Sequence, residues 1–344
     1  MKDNNLLGLD QTEFVRLAES LGEASFRGKQ LYVQIYRRKQ LDLDLMTDLS
    51  KSFRSQLSKD YSVSLPAVHQ VVNSHDGTSK LLLRLGDGAF IETVHIPEES
   101  RDTLCISSQV GCDVGCTFCM TAKMGFTRNL RAGEIIGQVL QATEMRLVNK
   151  NGFNIVFMGM GEPLYNYKNV MKAFRLLTDP EGMNLSHRRV TISTSGVIPV
   201  LKQMATEPKL PNLAISLNAT SADVRNRIMP INKRWGLTEL LKVCRDFPLE
   251  PRRRITIEYV LLKGETDSDD DARRLARLLR GIPSKVNLIP YNPNPGLPHA
   301  RPEEHRISRF QEILNELNVS AFVRKTRGLD VAAACGQLAH LEAS

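Results

Sequence analysis

The sequence predicts an α/β fold built on a parallel sheet, open or closed into a barrel. Two observations carry this prediction. From about Thr103 onward, short runs of β-branched and apolar residues alternate with segments of helical periodicity, which is the pattern of successive βα units. The residues before that point differ, because 6–62 carry apolar side chains at helical spacing and 63–96 carry short β-rich runs.

The N-terminal region predicts a small basic domain of three helices. The first covers residues 12–22, with Thr12 as a candidate N-cap and Gly22 as its end, and the others cover 28–39 and 50–61. Residues 63–96 then predict a small sheet with a hairpin that turns at the Gly-Asp-Gly of residues 86–88.

The main domain predicts seven strands and six intervening helices. The strands are expected at 103–109, 154–163, 188–196, 213–219, 254–262, 286–293 and 320–326, and the helices at 131–148, 170–179, 197–205, 237–247, 270–282 and 307–317. Ligand sites in parallel sheets lie at the carboxyl ends of the strands. The polar loops "GMGEP", "STSG", "SLNA" and "YNPNPG" are therefore expected on one rim.

Composition and charge limit the kinds of protein that this sequence can be. No apolar run approaches the roughly 20 residues that span a bilayer, and the N-terminus lacks the layout of a signal peptide. The protein is therefore expected in the cytoplasm, where six cysteines favour metal or redox chemistry over structural disulfides. A formal net charge of +8 favours an acidic partner, nucleic acid above all, although grouped arginines also form solvated helix faces.

Three cysteines lie within eight residues of one another, and glycines flank the first of them. Cys112, Cys116 and Cys119 follow Gly111, and Gly115 lies among them, so the segment is predicted to be a loop that wraps one metal centre. Structural zinc wants four protein ligands, and Cys105 could be the fourth. A 4Fe–4S cluster also normally takes four cysteines, so three would leave one iron open for a substrate or cofactor. Buried free thiols are a further alternative.

The C-x-x-x-C-x-x-C pattern, with Phe118 before its last cysteine, resembles the radical S-adenosylmethionine superfamily. "GMGEP" after the next strand matches the glycine–glutamate motif of that superfamily. The resemblance implies a partial (β/α)6 barrel and one 4Fe–4S cluster per chain, held by Cys112, Cys116 and Cys119. It also implies that the open iron binds S-adenosylmethionine, and that one electron from the cluster splits this cofactor to a 5′-deoxyadenosyl radical.

Longer segments narrow the resemblance to the RNA adenine-C2 methyltransferases. "CTFCMTAKMGFTRNL", "GMGEPLYN", "IMPINKRW" and "VRKTRGLDVAAACGQL" are similar to that family in order and spacing. The family implies methylation of adenine C2 in the peptidyl-transferase centre of 23S ribosomal RNA and beside the anticodon of transfer RNA. It also implies a monomer without membrane contact, and an electron donor such as flavodoxin or ferredoxin.

The resemblance also implies a division of the chain and places for RNA. Residues 1–62 would be a basic RNA-binding domain, 63–100 a β-rich extension, 101–330 the radical core barrel and 331–344 a C-terminal segment. Two basic groups are candidates for phosphate contact. The first group comprises Arg27, Lys29, Arg37, Arg38 and Lys39, and the second comprises Arg324, Lys325 and Arg327.

The family assigns catalytic roles to residues far apart in sequence. From its neighbours alone, Cys335 is a small apolar residue among alanines. In the family this position carries the methyl group, so two S-adenosylmethionine molecules are used per turnover, one to methylate Cys335 and one to activate the S-methyl group. Cys105 matches the resolving thiol, which would form a transient disulfide with Cys335. Glu92 matches the proton acceptor.

Cofactor contacts carry over position by position. They are Gly161, Glu162, Ser193, Ser216, Leu217, Asn218 and Asn292, with Glu162 accepting a hydrogen bond from the cofactor's amino group. Many family members have histidine where this chain has Asn218, and either side chain can hydrogen-bond the ribose or carboxylate. Cys244 matches no motif and is expected to be structural.

Other functions are weighed against this one. A sister branch methylates adenine C8, but it typically has "GEA" where this chain has "GEP" at Gly161–Pro163. A methylthiotransferase would need three further cysteines before Cys105, and a protein-radical activase would have no use for Cys335. A non-enzymatic RNA-binding zinc protein would hold one zinc in place of iron and sulfide.

Overall fold

The computed structural model describes residues 4–99, 101–149 and 152–339. Its main element is a ten-stranded sheet that is mostly parallel, with helices between the parallel strands. The predicted α/β class is confirmed.

The first three helices form the N-terminal part. They are α1 (Gln11–Ser20), α2 (Ser25–Tyr36) and α3 (Lys51–Asp60). The predicted N-cap at Thr12 is wrong by two residues, because Asp10 caps α1. Its carboxylate accepts from the Glu13 N–H at 2.9 Å, and the Glu13 carboxylate accepts from the Asp10 N–H at 2.7 Å. This reciprocal pair satisfies two amide groups at once, which threonine inside the first turn could not do.

An antiparallel meander joins the N-terminal helices to the main sheet. Strands β1 (Ala67–Asn73), β2 (Ser79–Arg84) and β3 (Phe90–Ile96) pair in sequence, and β3 pairs with β4 (Thr103–Cys105). The predicted hairpin at residues 86–88 is the β2–β3 turn. Because β4 also pairs in parallel with the next core strand, the meander extends the main sheet without a break.

The remaining elements follow in chain order. They are β5 (Gln109–Gly111), α4 (Met120–Lys123), β6 (Phe126–Asn129), α5 (Ala132–Glu144), β7 (Asn154–Phe157), α6 (Tyr167–Thr178), β8 (Val190–Thr194), α7 (Ile198–Met204), β9 (Asn212–Ser216), α8 (Ala222–Ile228), α9 (Leu237–Asp246), β10 (Ile255–Leu261), α10 (Asp269–Leu278), β11 (Ser284–Pro290), α11 (Glu304–Glu316) and β12 (Ala321–Val323).

The parallel part of the sheet runs β4-β7-β8-β9-β10-β11-β12. Each step between neighbours is a crossover that contains a helix, as expected of successive βα units. The separate β5–β6 hairpin and the short helices α4 and α8 lie outside the elements that the sequence predicted. None of the helices in the described part of the chain has the length and apolar character needed to cross a bilayer.

The strand register separates an apolar face from a polar face. Paired residues on neighbouring strands point to the same side of a sheet. Ser216 pairs with Glu258, and Glu258 pairs with Asn287, so these polar side chains share one face. The alternate positions, such as Ile215 and Ile257, are fully buried on the opposite face, in the apolar core that includes the helices. The polar face therefore provides the chemistry and the apolar face provides the stability.

The N-terminal helices pack directly on the main domain. The Tyr32 hydroxyl donates to the Asp179 carboxylate at 2.8 Å, and Lys172 on α6 forms an ion pair with Glu13 at 2.5 Å. Gly133 in α5 lies so close to the backbone of Leu7 that a Cβ there would overlap the Leu7 carbonyl oxygen. The close backbone approach requires glycine.

We expect Gly133→Ala to lower the free energy of unfolding by about 1–3 kcal/mol, although alanine is the better helix former, because the added methyl must push the N-terminal segment away. Urea denaturation measures the change. Gly86→Ala is the matched control, since nothing lies within 4 Å of a Cβ at that position. Equal effects of the two substitutions would contradict the packing described here.

Candidate active site

A cleft of about 980 Å³, open to solvent, lies at the carboxyl ends of the core strands. The four polar loops predicted to share a rim all reach it. Its lining includes ten of the predicted site residues: Cys112, Cys116, Cys119, Gly161, Glu162, Ser193, Ser216, Asn218, Asn292 and Cys335. Three other predicted residues, Glu92, Cys105 and Leu217, are buried and lie outside this lining.

The cysteine loop is held by the β5–β6 hairpin, which the sequence analysis missed. The Cys112 N–H donates to the Gly125 carbonyl at 2.8 Å, and the Thr117 N–H donates to the Ile228 carbonyl at 3.0 Å. Gly111 has φ +76°, and a Cβ there would overlap the Gly125 carbonyl oxygen. The β-branched Val110 and Thr127 were the available signal for these strands, but each strand is only three or four residues long.

The three thiols fit a cluster better than a single ion. Four sulfurs around one zinc ion lie about 3.8 Å apart, since each zinc–sulfur bond is about 2.3 Å. In the described part of the chain, no group of three or more His, Cys, Asp or Glu side chains is placed to hold one metal ion. The three cysteines still face one cleft and influence one another's ionisation, which suits the wider spacing of iron–sulfur ligands.

Burial makes these thiols dependent on a metal for ionisation. It raises the pKa of Cys112 to about 12 and the pKa of Cys116 well above its ordinary value, and neighbouring thiolates add to both effects. A bound cationic centre reverses this preference, because coordination deprotonates a thiol. The protein alone therefore keeps the cysteines as neutral thiols.

Glu162 is fixed by a network on the neighbouring strand. Its carboxylate accepts from the Thr194 hydroxyl at 2.6 Å and from the Ser195 N–H and hydroxyl at 2.8 and 2.7 Å. Burial raises the pKa of Glu162, and these hydrogen bonds oppose the rise. Gly161 packs on Gln109, where a side chain would collide. Gln109, Thr194 and Ser195 were absent from the predicted site.

Asn218 and Asn292 are already engaged within the protein. Asn218 has φ +60°, its carbonyl accepts from the Val260 N–H at 3.0 Å, and its amide group contacts the Met229 sulfur at 3.2 Å. Asn292 donates to the Cys335 carbonyl at 3.2 Å. Asparagine tolerates the left-handed conformation of position 218 better than most residues. Leu217 is fully buried, so the atoms it could offer a ligand are those of its backbone.

Arg225 supports the loops that form the cleft. It is fully buried and donates to the carbonyls of Ser195, Ser216 and Leu217 and to the Asn232 side chain. Burial lowers its pKa to about 10. It thus ties together the loops after β8 and β9. This role could not be predicted from the sequence, because an arginine in an amphipathic helix ordinarily faces solvent.

The C-terminal segment brings Cys335 to the cysteine loop. The Met120 N–H donates to the Gly336 carbonyl at 2.8 Å, and the Thr121 hydroxyl donates to the Leu338 carbonyl at 2.6 Å. Upstream, the Ser74 hydroxyl donates to Asp330 at 2.5 Å. Cys335 therefore shares a cleft with Cys119 although more than 200 residues separate them in sequence. The last five residues of the predicted 331–344 segment lie outside the described residues.

Cys105 and Glu92 lie behind Cys335 on the polar face of the sheet. Burial raises the pKa of Cys105 to about 12, the Cys335 thiolate adds to this, and Arg324 opposes it. Glu92 forms an ion pair with Lys80 at 3.1 Å, and Lys80 also donates to the Ala332 carbonyl at 3.2 Å. In the described structure all six cysteines are free thiols.

The second basic group divides between the cleft and the surface. Arg324 lines the cleft, and its guanidinium donates to the Met158 sulfur at 3.6 Å. Lys325, which also follows β12, is exposed, and its contact with phosphate stays a prediction. Lys29, Arg37 and Arg38 in the N-terminal helical region are exposed, and Arg38 pairs with Asp48 at 2.6 Å.

Two family models match the chain. Residues 106–276 match the radical SAM superfamily, and residues 4–63 match the ribosomal RNA large subunit methyltransferase N-terminal domain. The two matches together cover the N-terminal helices, the cysteine loop and most of the parallel sheet.

Similar proteins match almost the whole chain. The dual-specificity RNA methyltransferase RlmN of Anaeromyxobacter dehalogenans is 49% identical over 97% of this chain and 91% of its own length. The protein of that name from Desulfotalea psychrophila is 48% identical over 97% and 94%. The crystal structure of a radical SAM methyltransferase from Sphaerobacter thermophilus aligns with a TM-score of 0.90 at 43% identity, covering 97% of this chain and 98% of that one. This chain therefore belongs to the radical SAM superfamily and, within it, to the RlmN family of RNA methyltransferases.

Proposed function

We propose that this protein methylates C2 of adenine in the peptidyl-transferase centre of 23S ribosomal RNA and beside the anticodon of transfer RNA. The observation that carries the proposal is the meeting of Cys335 with the three-cysteine loop in one cleft, with Cys105 behind it. The relatives are named dual-specificity RNA methyltransferases, which supports action on more than one RNA. The match to the ribosomal RNA large subunit methyltransferase N-terminal domain supports ribosomal RNA as one of them. Nothing in those names favours the C8 alternative.

Cys112, Cys116 and Cys119 hold one 4Fe–4S cluster in this proposal. Glu162, Ser193, Ser216, Asn218 and Asn292 line the adjoining space for S-adenosylmethionine, with Gly161 and the Leu217 backbone. When bound, these groups supply a methyl donor and, on reduction, a radical that removes hydrogen from a methyl group. An electron donor such as flavodoxin or ferredoxin delivers the electron.

Cys335 carries the methyl group between cofactor and RNA. Adenine C2 is an electrophilic carbon, so it does not attack a methyl sulfonium, whereas a thiolate does. The Cys335 thiolate therefore accepts the methyl group first, and one molecule of S-adenosylmethionine is consumed in that step. A second molecule is used to activate the S-methyl group, whose carbon then bonds to C2 and links the protein to the RNA.

Glu92 and Cys105 release the RNA. Glu92 accepts the C2 proton, and the unpaired electron that radical addition leaves on the base would return to the cluster that supplied it. Lys80 connects Glu92 to the backbone three residues before Cys335. Cys105 then attacks the Cys335 sulfur, the carbon–sulfur bond breaks, and the departing carbon takes a proton to become the methyl group. The product on the protein is a Cys105–Cys335 disulfide. Electrostatic coupling of the two thiols in the structure supports their closeness.

This route assigns a role to each part of the chain. We assign RNA binding to the helical domain of residues 1–62, through exposed cations such as Lys29 and Arg37. Residues 63–100 supply Glu92, residues 101–330 the cofactor site, and residues 331–344 the methyl carrier. The target base must leave its stack to enter the cleft, at a cost of a few kcal/mol that contacts with the RNA backbone offset.

The product identifies the reaction. Reconstituted protein with S-adenosylmethionine and a reductant should convert one adenosine to 2-methyladenosine in protein-free 23S ribosomal RNA and one in transfer RNA, as read by mass spectrometry of nucleosides against synthetic standards. Appearance of 8-methyladenosine would establish the C8 alternative. Failure on both RNAs would refute the proposal.

Metal content tests the ligand set. We expect about four iron and four sulfide per chain after anaerobic reconstitution, and the loss of most of both in Cys112→Ala, Cys116→Ala or Cys119→Ala. Cys244→Ala is the control, because Cys244 is also a free cysteine but lies on α9, outside the cleft lining. Iron retained by the three loop variants, or one zinc per chain in the native protein, would contradict the assignment.

Two cysteine variants separate the steps of the route. Cys105→Ala should stop with RNA bonded to Cys335, visible as a protein–RNA adduct on a denaturing gel. Cys335→Ala should form no adduct and no methylated RNA while still cleaving S-adenosylmethionine weakly. Full methylation by either variant would show that the route through these thiols is incorrect.

A further inference from the structure

A buried carboxylate in the cleft has no role in the reaction described above. Glu258 lies on β10, is 3% exposed and lines the cleft. Its Oε1 accepts from the Asn287 side chain at 3.0 Å, whereas its Oε2 has no hydrogen-bond partner among the described residues. A buried unpaired carboxyl oxygen is costly, so such atoms in native proteins call for a ligand. A carboxyl group keeps an acceptor oxygen in either protonation state.

Arg324 provides donors at the same end of the cleft. It follows β12, two strands from Glu258, and its main-chain N–H donates to the Leu288 carbonyl at 2.8 Å. The one side-chain hydrogen bond of Arg324 in the described structure is the 3.6 Å contact with the Met158 sulfur, a weak acceptor. Guanidinium has five N–H donors, so most of them remain available to a ligand.

Both side chains belong to the Cys335 end of the cleft. The Cys335 thiolate is the main cause that raises the pKa of Arg324, and Glu258 and Cys105 add to the effect. Cys335 also adjoins the cysteine loop, through the hydrogen bond from Met120 to the Gly336 carbonyl. The Glu258–Arg324 pair and the proposed cofactor contacts therefore line one continuous cleft.

We propose that Glu258 and Arg324 recognise the Watson–Crick edge of the target adenine. Glu258 Oε2 accepts a hydrogen bond from the exocyclic 6-amino group, and the Arg324 guanidinium donates to N1. This inference rests on the proposed function and adds the residues that select the base. Neither residue is among the carried-over catalytic or cofactor positions.

The hydrogen-bond donors and acceptors of adenine complement Glu258 and Arg324, and the same contacts orient its C2 atom. Adenine presents a donor at position 6 and an acceptor at N1, which a carboxylate and a guanidinium complement. Guanine presents the opposite pattern, an acceptor at position 6 and a hydrogen on N1, so both contacts would be lost. C2 is bonded to N1, and Arg324 lies beside Cys335, so a base held at N1 presents its C2 to the methyl carrier.

A second source of donors is the cofactor, whose ribose carries two hydroxyl groups. Glu258 pairs in register with Ser216, one of the proposed cofactor contacts. The test must therefore separate the base from the cofactor.

The experiment compares three transfer RNAs that differ in one nucleoside at the target position. They carry adenosine, purine riboside, which lacks the 6-amino group, or 1-deazaadenosine, which lacks N1. Fluorescence anisotropy with the reconstituted enzyme measures each dissociation constant. We expect native enzyme to bind either analogue roughly tenfold more weakly than adenosine, as for the loss of one buried hydrogen bond to a charged group. Equal binding of all three RNAs by native enzyme would overturn the proposal without any variant.

Variants assign each contact. Glu258→Ala should bind adenosine and purine riboside equally while still discriminating against 1-deazaadenosine, and Arg324→Met should show the reverse pattern. Glu316→Ala, an exposed carboxylate on α11, is the matched control and should keep both differences. Urea unfolding should show Glu258→Ala to be at least as stable as native protein, because the change removes an unpaired buried carboxylate.

Three further outcomes are decisive. If Glu258→Ala weakens the binding of S-adenosylmethionine but keeps the discrimination against purine riboside, Glu258 serves the cofactor and the proposal is wrong. If native enzyme does not methylate the adenosine RNA at all, the proposed function fails. Methylation by native enzyme with no effect of either variant on discrimination would refute this inference alone.

Discussion

One hydrogen bond joins the two halves of the proposed chemistry, the donation from the Met120 N–H to the Gly336 carbonyl. Met120 directly follows the last cysteine of the loop, and Gly336 directly follows Cys335. The bond therefore holds the proposed methyl carrier against the proposed cluster ligands. Asn292 donates to the Cys335 carbonyl, and Asn294 donates to the same Gly336 carbonyl that accepts from Met120. These bonds hold the segment that carries Cys335 against the cysteine loop.

The sheet places the other residues of the proposed site on the same side of the molecule as this contact. Its register places Cys105, Ser216 and Glu258 on one face, and the opposite face is apolar and covered by helices. Stability and chemistry are thus assigned to different faces of the same strands. The buried groups of the polar face are of two kinds. Glu162 and Arg225 have several partners and act as supports, whereas one oxygen of Glu258 has no hydrogen-bond partner in the part of the chain that the structure describes.

The features that could be predicted from the sequence are those that repeat along the chain or have a fixed local spacing. Alternating strands and helices were recognisable because each core strand ends in a polar loop, and the three cysteines were recognisable by spacing. The β5–β6 hairpin was not predicted because its strands are too short to show an alternation of apolar and polar residues. The burial of Arg225, Arg324 and Glu258 was not predicted, because burial of a charged residue depends on tertiary packing, which no local sequence pattern shows. The N-cap at Asp10 was missed because threonine at 12 competes for the same role.

Isotope labelling of the transferred methyl group tests the central claim most directly. With S-adenosylmethionine that carries three deuteriums on its methyl group, a route through S-methylated Cys335 removes one deuterium and later adds one hydrogen from solvent. The account predicts methylated adenosine with two deuteriums, read by mass spectrometry of the RNA nucleosides. A methyl group that keeps all three deuteriums would show direct transfer and would contradict the role of Cys335.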